Sequence, residues 1–313
     1  MKCRVCGKPA NINLRSYKTA LCEEDFIAFL EKRASTTIGK YHLIDETDKP
    51  IVAVSGGKDS LSLWYMMNKL GYVSDGIYID LGIEGYSGRS LEKIRQMADK
   101  LQRKVYIFNV HKALRKGIDS IAKVIRRPTC SACGTIKRYI MNRICIDKGY
   151  TVLATGHNLD DEASALFGNV LYWKREYLWK KNVVLEGRGE HLVKKIKPFF
   201  LCSEREIAAY AIMKGIDYIY EECPFSSGAK TLTYKGILNH IEESSPGTKI
   251  MFVKGYLKMV KEKGDEKEDE KEDNREGRYC LQCGYPTFSD KCSFCWLLDK
   301  FGTEYAVEFD QYG

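Results

Sequence analysis

The sequence predicts an α/β chain: a parallel sheet flanked by helices, with a small zinc-finger module at each end. Three observations carry that prediction. Between Pro50 and Gly156, apolar strand-like runs alternate with amphipathic stretches, the pattern of strand–helix–strand units that feed a parallel sheet. One run ends in a glycine pair that opens a helix, "IVAVSGGKDSLSLWYM", and such sheets bind ligands at the carboxyl ends of their strands. Both ends of the chain carry cysteines two residues apart, a spacing at which one tight turn aims two sulfurs at one ion.

Taken in order, residues 1–26 form the first cysteine module, with Cys3, Cys6 and Cys22. "DFIAFLEKRASTTI", from Asp25 to Ile38, has apolar residues at helical spacing and leads into a core domain over residues 27–215. Strands are expected at 51–55, 74–80, 104–110 and 151–156, with helices between them. A helical region follows over 216–260 and contains Cys223. Residues 261–278 hold six basic and nine acidic side chains and nothing apolar to bury, so they read as a solvated linker. The second module, 279–313, reads "YCLQCGYPTFSDKCSFCWL" across its cysteines. Cys280, Cys283, Cys292 and Cys295 form two CxxC knuckles, enough thiolates for a tetrahedral zinc site in a segment too small to fold on its core alone.

Composition narrows the class. With 44% hydrophobic and 29% charged residues over 313 positions, the chain reads as a soluble globular protein. No apolar run approaches the ~20 residues that span a bilayer, and "MKCRVCGKPA" lacks the apolar segment of a signal peptide. The expected location is cytoplasmic, where twelve cysteines stay reduced and serve as metal ligands rather than disulfides. The net charge is +8; without the 261–278 run it is +11, from 44 basic and 33 acidic residues. A body that basic suits a polyanion such as nucleic acid. Basic and aromatic residues interleave in "LYWKREYLWKKN" (171–182), and basic residues recur in "LVKKIKPFF" and "KVIRRP", as RNA-gripping surfaces do.

The Ser55–Ser60 loop, "SGGKDS", holds an anion by simple means. Gly56 and Gly57 let the backbone approach closely, and the helix that follows offers its free N–H groups. Ser55 and Ser60 add hydroxyls, Lys58 adds positive charge, and Asp59 supports the loop or helps to hold Mg²⁺. The string matches neither GxxxxGK[ST] nor GxGxxG. It resembles instead the SGGxDS loop of the PP-loop (N-type) ATP pyrophosphatases, which cleave ATP between its α and β phosphates. That resemblance implies a nucleotide site in which Ala53 and Val54 lead into the loop and the loop takes the departing pyrophosphate. "IYIDLGI" (77–83) is similar to the segment that reads the adenine, through the backbone at Ile79. "ATGHNLDDEA" (154–163) is similar to the third nucleotide segment, with Gly156 beside the nucleotide and Asp161 in the site.

The middle cysteines admit three readings on their own. "RRPTCSACGTIKRYI" puts Cys130 and Cys133 at a helix start beside two arginines, and Cys223 supplies a third sulfur from "YEECPFSSG". A structural zinc lacks a visible fourth ligand. A Cys130–Cys223 disulfide needs no metal, and a three-cysteine [4Fe–4S] cluster leaves one iron open. "PxxCxxCG" some seventy residues after the ATP loop, with a later Cys-Pro-Phe, resembles the TtuA/TtcA-type tRNA thiolases. Membership of that group implies a [4Fe–4S] cluster on Cys130, Cys133 and Cys223, with Lys137 in the same site. It also implies zinc in both terminal modules; the usual histidine of the first is here Asp25, whose carboxylate can bind zinc.

As a whole, the resemblance implies an ATP- and Mg²⁺-dependent tRNA sulfurtransferase. ATP adenylates O2 of a uridine, 5-methyluridine 54 of the T-loop or alternatively uridine 34, and sulfur replaces that oxygen. Catalytic roles fall on Cys130, Cys133, Cys223, Lys137 and Asp161. The same resemblance implies tRNA as substrate, a ubiquitin-like carrier with a C-terminal thiocarboxylate as sulfur source, and a homodimer with no membrane role. A non-enzymatic zinc-bearing RNA-binding factor is the alternative of another class. An amide-forming synthetase would need an ammonia-producing module, and none is visible.

Overall fold

The structure, a computed structural model, describes residues 1–179, 183–226, 230–265, 278–303 and 308–313. Two short strands, β1 (Ile12–Leu14) and β2 (Thr19–Leu21), pair antiparallel and bring Ile12 opposite Leu21. Cys22 then caps α1 (Glu23–Lys40), whose first turn holds Glu23, Glu24 and Asp25, where the helix dipole favours negative charge. Phe26, Leu30, Ala34 and Ile38 recur every three or four residues and are all buried, the stripe that docks a helix on a core.

The core domain alternates as its sequence pattern requires. In order it runs β3 (Pro50–Ala53), α2 (Lys58–Lys69), β4 (Asp75–Asp80), α3 (Ser87–Leu101) and β5 (Val105–Asn109). Then come α4 (Val110–Leu114), α5 (Ile118–Ile125), α6 (Thr129–Lys148), β6 (Val152–Thr155), α7 (Leu159–Leu171) and α8 (Arg175–Trp179). β7 (Val184–Leu185), β8 (Lys194–Ile196) and α9 (Glu204–Met213) follow, then α10 (Lys230–Ser244) and α11 (Thr248–Asp265). The last module contains β9 (Arg278–Tyr279), β10 (Pro286–Thr287) and α12 (Ser293–Phe301), and the chain ends in β11 (Asp310–Tyr312).

One sheet of seven strands organises this list, in the order β11-β5-β4-β3-β6-β8-β7. The five inner strands are parallel, and β11 and β7 close the two edges antiparallel. Alternate side chains go to opposite faces. Val52, Tyr78, Val105 and Ile107 join one core with Phe26, Trp64, Phe199 and Tyr210. Ile51, Ile77, Ile79, Tyr106 and Phe108 join the other with Ile121, Ile136, Ile140 and Phe294. From β3 the chain winds one way to β4 and β5, then crosses back to β6 and β8. The β3/β6 neighbours are therefore the topological switch point, where the loops that leave the strand ends part and open a crevice.

The expected strands appear within a residue or two of their ranges, because each is a short apolar run between turn-forming residues. β7, β8 and β11 were not expected; with two or three residues each, they are too short to show a periodicity. Packing also runs across the expected boundaries. Leu238, Ile250 and Val253, from α10 and α11, share a core with Phe26 and Trp64, and β11 pairs with β5 rather than staying within the terminal module. Of the acidic linker, residues 266–277 lie outside the described residues, as do 180–182 of the basic-aromatic stretch. Among the described residues no helix is long and apolar enough to cross a membrane.

One buried ion pair ties the helical region to the core. Lys249 on α11 places Nζ 2.5 Å from Asp160 Oδ1 and 2.5 Å from Asn239 Oδ1, with both charged side chains under a tenth exposed. The other Asp160 oxygen accepts the Glu204 backbone N–H at 2.7 Å, so one carboxylate joins α7, α9 and α11. Breaking a buried pair by removing one partner leaves the other charge stranded. Lys249→Ala is expected to destabilise the chain by about 3–5 kcal/mol, read as a lowered urea midpoint, whereas Lys258→Ala, an exposed pair with Glu262, should change stability by under about 1 kcal/mol.

Candidate functional site

The Ser55–Ser60 loop leaves β3 at the switch point and closes on itself before any ligand arrives. Ser60 Oγ accepts the Ser55 backbone N–H at 3.0 Å, lies 3.1 Å from Ser55 Oγ and donates to the Gly57 carbonyl at 3.1 Å. Gly56 has φ +80°, and a Cβ there would stand 2.9 Å from the Ser90 Cα and carbonyl oxygen; only glycine fits both demands. Its own carbonyl accepts the Ile219 N–H at 2.9 Å. Gly156, after β6, comes so close to the loop that a Cβ would meet Ser60 N and Asp59 C at 3.0 Å. Val54 donates its N–H to the Ile77 carbonyl at 2.9 Å, beside Ala53 at the end of β3. Ile79 is buried near the end of β4. The Ser55–Ser60 loop and Gly156 thus meet at the switch point, where the strand ends of such a sheet leave a crevice.

Asp59 and Asp161 face this crevice from the starts of α2 and α7. Asn158 caps α7 reciprocally with Asp161 and reaches Asp59 Oδ1 at 3.3 Å through Nδ2. Two groups without a sequence signature complete the arrangement. Lys58 Nζ lies 3.2 Å from Asp59 Oδ2 and 2.7 Å from Glu204 Oε1. Lys235 Nζ lies 3.1 Å from Glu204 Oε2 and 2.7 Å from Asp161 Oδ1. Burial pushes the Asp59 carboxyl above its ordinary value against the pull of Lys58. Burial pushes Glu204 the same way, but Lys58 and Lys235 outweigh it and hold that carboxyl low. Burial also works against the charge of Lys235, and Asp161 and Glu204 outweigh it to hold its pKa high. The two lysines and Glu204 thus each favour their charged forms, while burial works against the charge of Asp59. Lys235 lies within an unremarkable amphipathic helix, and Glu204 reads as one of two acidic residues in "SEREIAAY".

Cys130 and Cys133 lie in the first turns of α6, and Cys223 comes from the segment between α9 and α10. Cys130 is exposed and its Sγ donates to the Phe225 carbonyl at 3.2 Å, two residues past Cys223. Burial pushes the Cys133 thiol up, opposed by the Lys137 ammonium and reinforced by the neighbouring charges of Cys223 and Cys130. The three cysteines and Lys137 are thus one neighbourhood. It is joined to the phosphate loop by the segment that binds Gly56, which also pairs Lys93 with Asp217 at 2.6 Å and Arg89 with Glu221.

Among the described residues, two other sets bring four ligand atoms within 4.8 Å of one another: Cys3, Cys6, Cys22, Asp25 and Cys280, Cys283, Cys292, Cys295. Sulfurs about 2.3 Å from a zinc ion stand about 3.8 Å apart at tetrahedral corners. Cys6 and Cys22 Sγ are 3.6 Å apart, and Cys283 and Cys292 Sγ 3.7 Å, so both sets fit a single ion. Asp25 Oδ2 lies 3.0 Å from Cys3 Sγ and 3.1 Å from Cys22 Sγ, which fits a carboxylate as fourth ligand. Cys130, Cys133 and Cys223 do not close up that tightly. Three thiolates brought together from two segments are a donor set that a [4Fe–4S] cluster with one open iron can use.

Cys145 and Cys202 are fully buried, and burial pushes both thiols up to about 12; they are small apolar core side chains. His157 is exposed, with Nδ1 2.9 Å from Thr155 Oγ1. Of the basic-aromatic stretch, Tyr172, Trp173 and Tyr177 are exposed, and Lys174 Nζ lies 5.5 Å from the Tyr172 ring centre.

Two outcomes follow from this geometry. Gly56→Ala places a Cβ against rigid backbone at a positive φ, so nucleotide binding measured by calorimetry should fall below detection. Cys292→Ser should remove one bound metal per chain by elemental analysis and loosen α12, whose Phe294 ring stacks 4.1 Å from Tyr139 of α6. Near-ultraviolet circular dichroism reads that stacking directly.

Comparison with known proteins gives a consistent answer. A family model describing a PP-loop domain matches residues 29–225, and a second, describing the N-terminal LIM domain of the 2-thiouridine synthetase TtuA, matches residues 2–27. The chain is similar to proteins named tRNA-5-methyluridine(54) 2-sulfurtransferase. It is 44% identical to one from Pyrococcus horikoshii over 96% of this chain and 95% of the relative. It is 42% identical to one from Thermotoga maritima over 95% and 96%. Among solved structures it is similar to the U34-tRNA thiolase NcsA from Methanococcus maripaludis with its [4Fe–4S] cluster, at 27% identity and a TM-score of 0.80 over 99% of both chains.

Proposed function

We propose, because this chain belongs to the PP-loop domain family and within it to the TtuA-type 2-thiouridine synthetases, that it spends ATP to exchange O2 of a tRNA uridine for sulfur. It is a tRNA 2-sulfurtransferase. The observation that best supports a two-part site is the Ile219–Gly56 hydrogen bond, which ties the Cys223 segment to the phosphate loop.

The chemistry divides between the two ends of that tie. Uridine O2 attacks the α phosphorus of ATP, the bond to the bridging oxygen breaks, and pyrophosphate leaves into the Ser55–Ser60 loop. The loop's backbone N–H groups and the two serine hydroxyls take up its negative charge. Ala53, Val54 and the backbone at Ile79 seat the adenosine, and Gly156 leaves room beside it. Asp59 and Asp161 are the carboxylates for Mg²⁺, which when bound balances the phosphate charge. In the second step sulfur adds at C2 and AMP departs with the original oxygen. Cys130, Cys133 and Cys223 would hold the [4Fe–4S] group, which supplies an iron position open to sulfur. Lys137, one helical turn from Cys133, sets its ammonium where negative charge builds on the reacting carbon and the departing AMP.

Position 54 is the target that the relatives at 44% and 42% identity favour by name; the U34 enzyme is similar at 27%. The terminal modules take one Zn²⁺ each, the first through Cys3, Cys6, Cys22 and Asp25. The sulfur donor is a ubiquitin-like carrier with a C-terminal thiocarboxylate, and the working assembly is a homodimer acting in the cytoplasm.

The test is anaerobic. Wild-type chain should hold iron and sulfide and thiolate tRNA, with the thionucleoside recovered from the T-loop fragment after nuclease digestion. Cys130→Ser should lose iron and at least about 100-fold in thiolation while still binding ATP. Wild-type iron content and rate in that variant would falsify the cluster role. Recovery of sulfur in the anticodon fragment would move the target to position 34.

A further inference from the structure

The phosphate loop supplies one lysine, and the structure supplies a second from a part of the chain that no phosphate-loop motif includes. Glu204, the first residue of α9, is shared between two ammonium groups: Lys58 Nζ on Oε1 at 2.7 Å and Lys235 Nζ on Oε2 at 3.1 Å. Their other partners are Asp59 at 3.2 Å and Asp161 at 2.7 Å, the two carboxylates that face the crevice. Both lysines are about four-fifths covered. Neither is a surface pair formed by chance; each is desolvated, and each is held by carboxylates that are themselves partly exposed to the crevice.

We infer that Lys235 binds the triphosphate of ATP alongside Lys58, and that Glu204 is the positioning residue that keeps both ammonium groups at the crevice until the nucleotide arrives. This rests on the reading of the crevice as an ATP site. A phosphate oxygen offers each lysine a charge-assisted contact of the same kind as the partly exposed carboxylates do, so the nucleotide can take the carboxylates' place. Asp59 and Asp161 are released for a divalent cation as their lysines turn to phosphate. Lys235 stands on α10, the helix that follows Cys223 in the chain.

The experiment separates a phosphate contact from a structural one. Dissociation constants for α,β-methylene-ATP with magnesium, and for AMP, are measured by calorimetry on the full chain and on three variants. Lys235→Met should weaken the triphosphate by roughly 10- to 100-fold, the loss of one charge-assisted contact, and leave AMP within about twofold. Lys235→Arg, which keeps the charge, should recover most of the triphosphate affinity. Glu204→Gln should weaken the triphosphate less than Lys235→Met and again spare AMP. Unchanged triphosphate affinity in Lys235→Met overturns the inference, and so does an equal loss for AMP, which marks a packing role. If the wild-type chain binds neither nucleotide, the ATP reading itself fails and takes this inference with it.

Discussion

One hydrogen bond fixes the relation between the two halves of the site: the Gly56 carbonyl receiving the N–H of Ile219. The carbonyl belongs to a residue with positive φ, a conformation that glycine takes without strain, and it meets the segment leading to Cys223. The same conformation is enforced from the opposite side, where the Ser90 backbone leaves no space for a Cβ. The phosphate loop is thus clamped between α3 and the cysteine segment. The flanking ion pairs, Lys93–Asp217 and Arg89–Glu221, are largely exposed and add little energy of their own. What they add is direction, since they align the segment along α3 and leave Cys223 facing the start of α6.

The zinc-type modules serve that same alignment from outside. α6 carries Cys130 and Cys133 at its front and Tyr139 two turns further on; Tyr139 stacks on Phe294 of the last module. Cys280, Cys292 and Cys295 are buried in the same core as Ile136 and Ile140, so the four-thiolate knuckle is a buttress for the helix that bears the middle cysteines. The first module does the equivalent for α1, with Cys22 as its cap and Phe26 one turn in. β11 then covers the β5 edge, which would otherwise present unpaired backbone groups.

What the sequence disclosed divides along physical lines. Features set by local chemistry were legible: a glycine pair after an apolar run, thiolates at ligand spacing, strands long enough to alternate. Cys145 within a helical pattern and Cys202 just before one could be assigned to the core because a lone thiol behaves as a small apolar side chain. Features set by tertiary approach were not. Nothing in "KTLTYKGILNH" separates Lys235 from Lys230, yet only the fold carries Lys235 onto Glu204 and Asp161. The packing across residues 215 and 279 was hidden for the same reason, since Leu238, Ile250 and a three-residue strand show what they touch only once the sheet exists.

The charges around the crevice run opposite to those of the chain. The whole protein is +8, but the crevice gathers Asp59, Glu204 and Asp161 against Lys58 and Lys235, an excess of one negative charge. On the proposed function, such a row suits a nucleotide that brings its own divalent cation, because the cation would satisfy the carboxylates while the lysines pass to the phosphates. The basic surplus is then left for the outer surface, where tRNA phosphates are met by long-range attraction. On the proposed function, one distribution of charge serves both partners: three carboxylates gather beside the phosphate loop, and basic residues outnumber acidic ones over the chain as a whole.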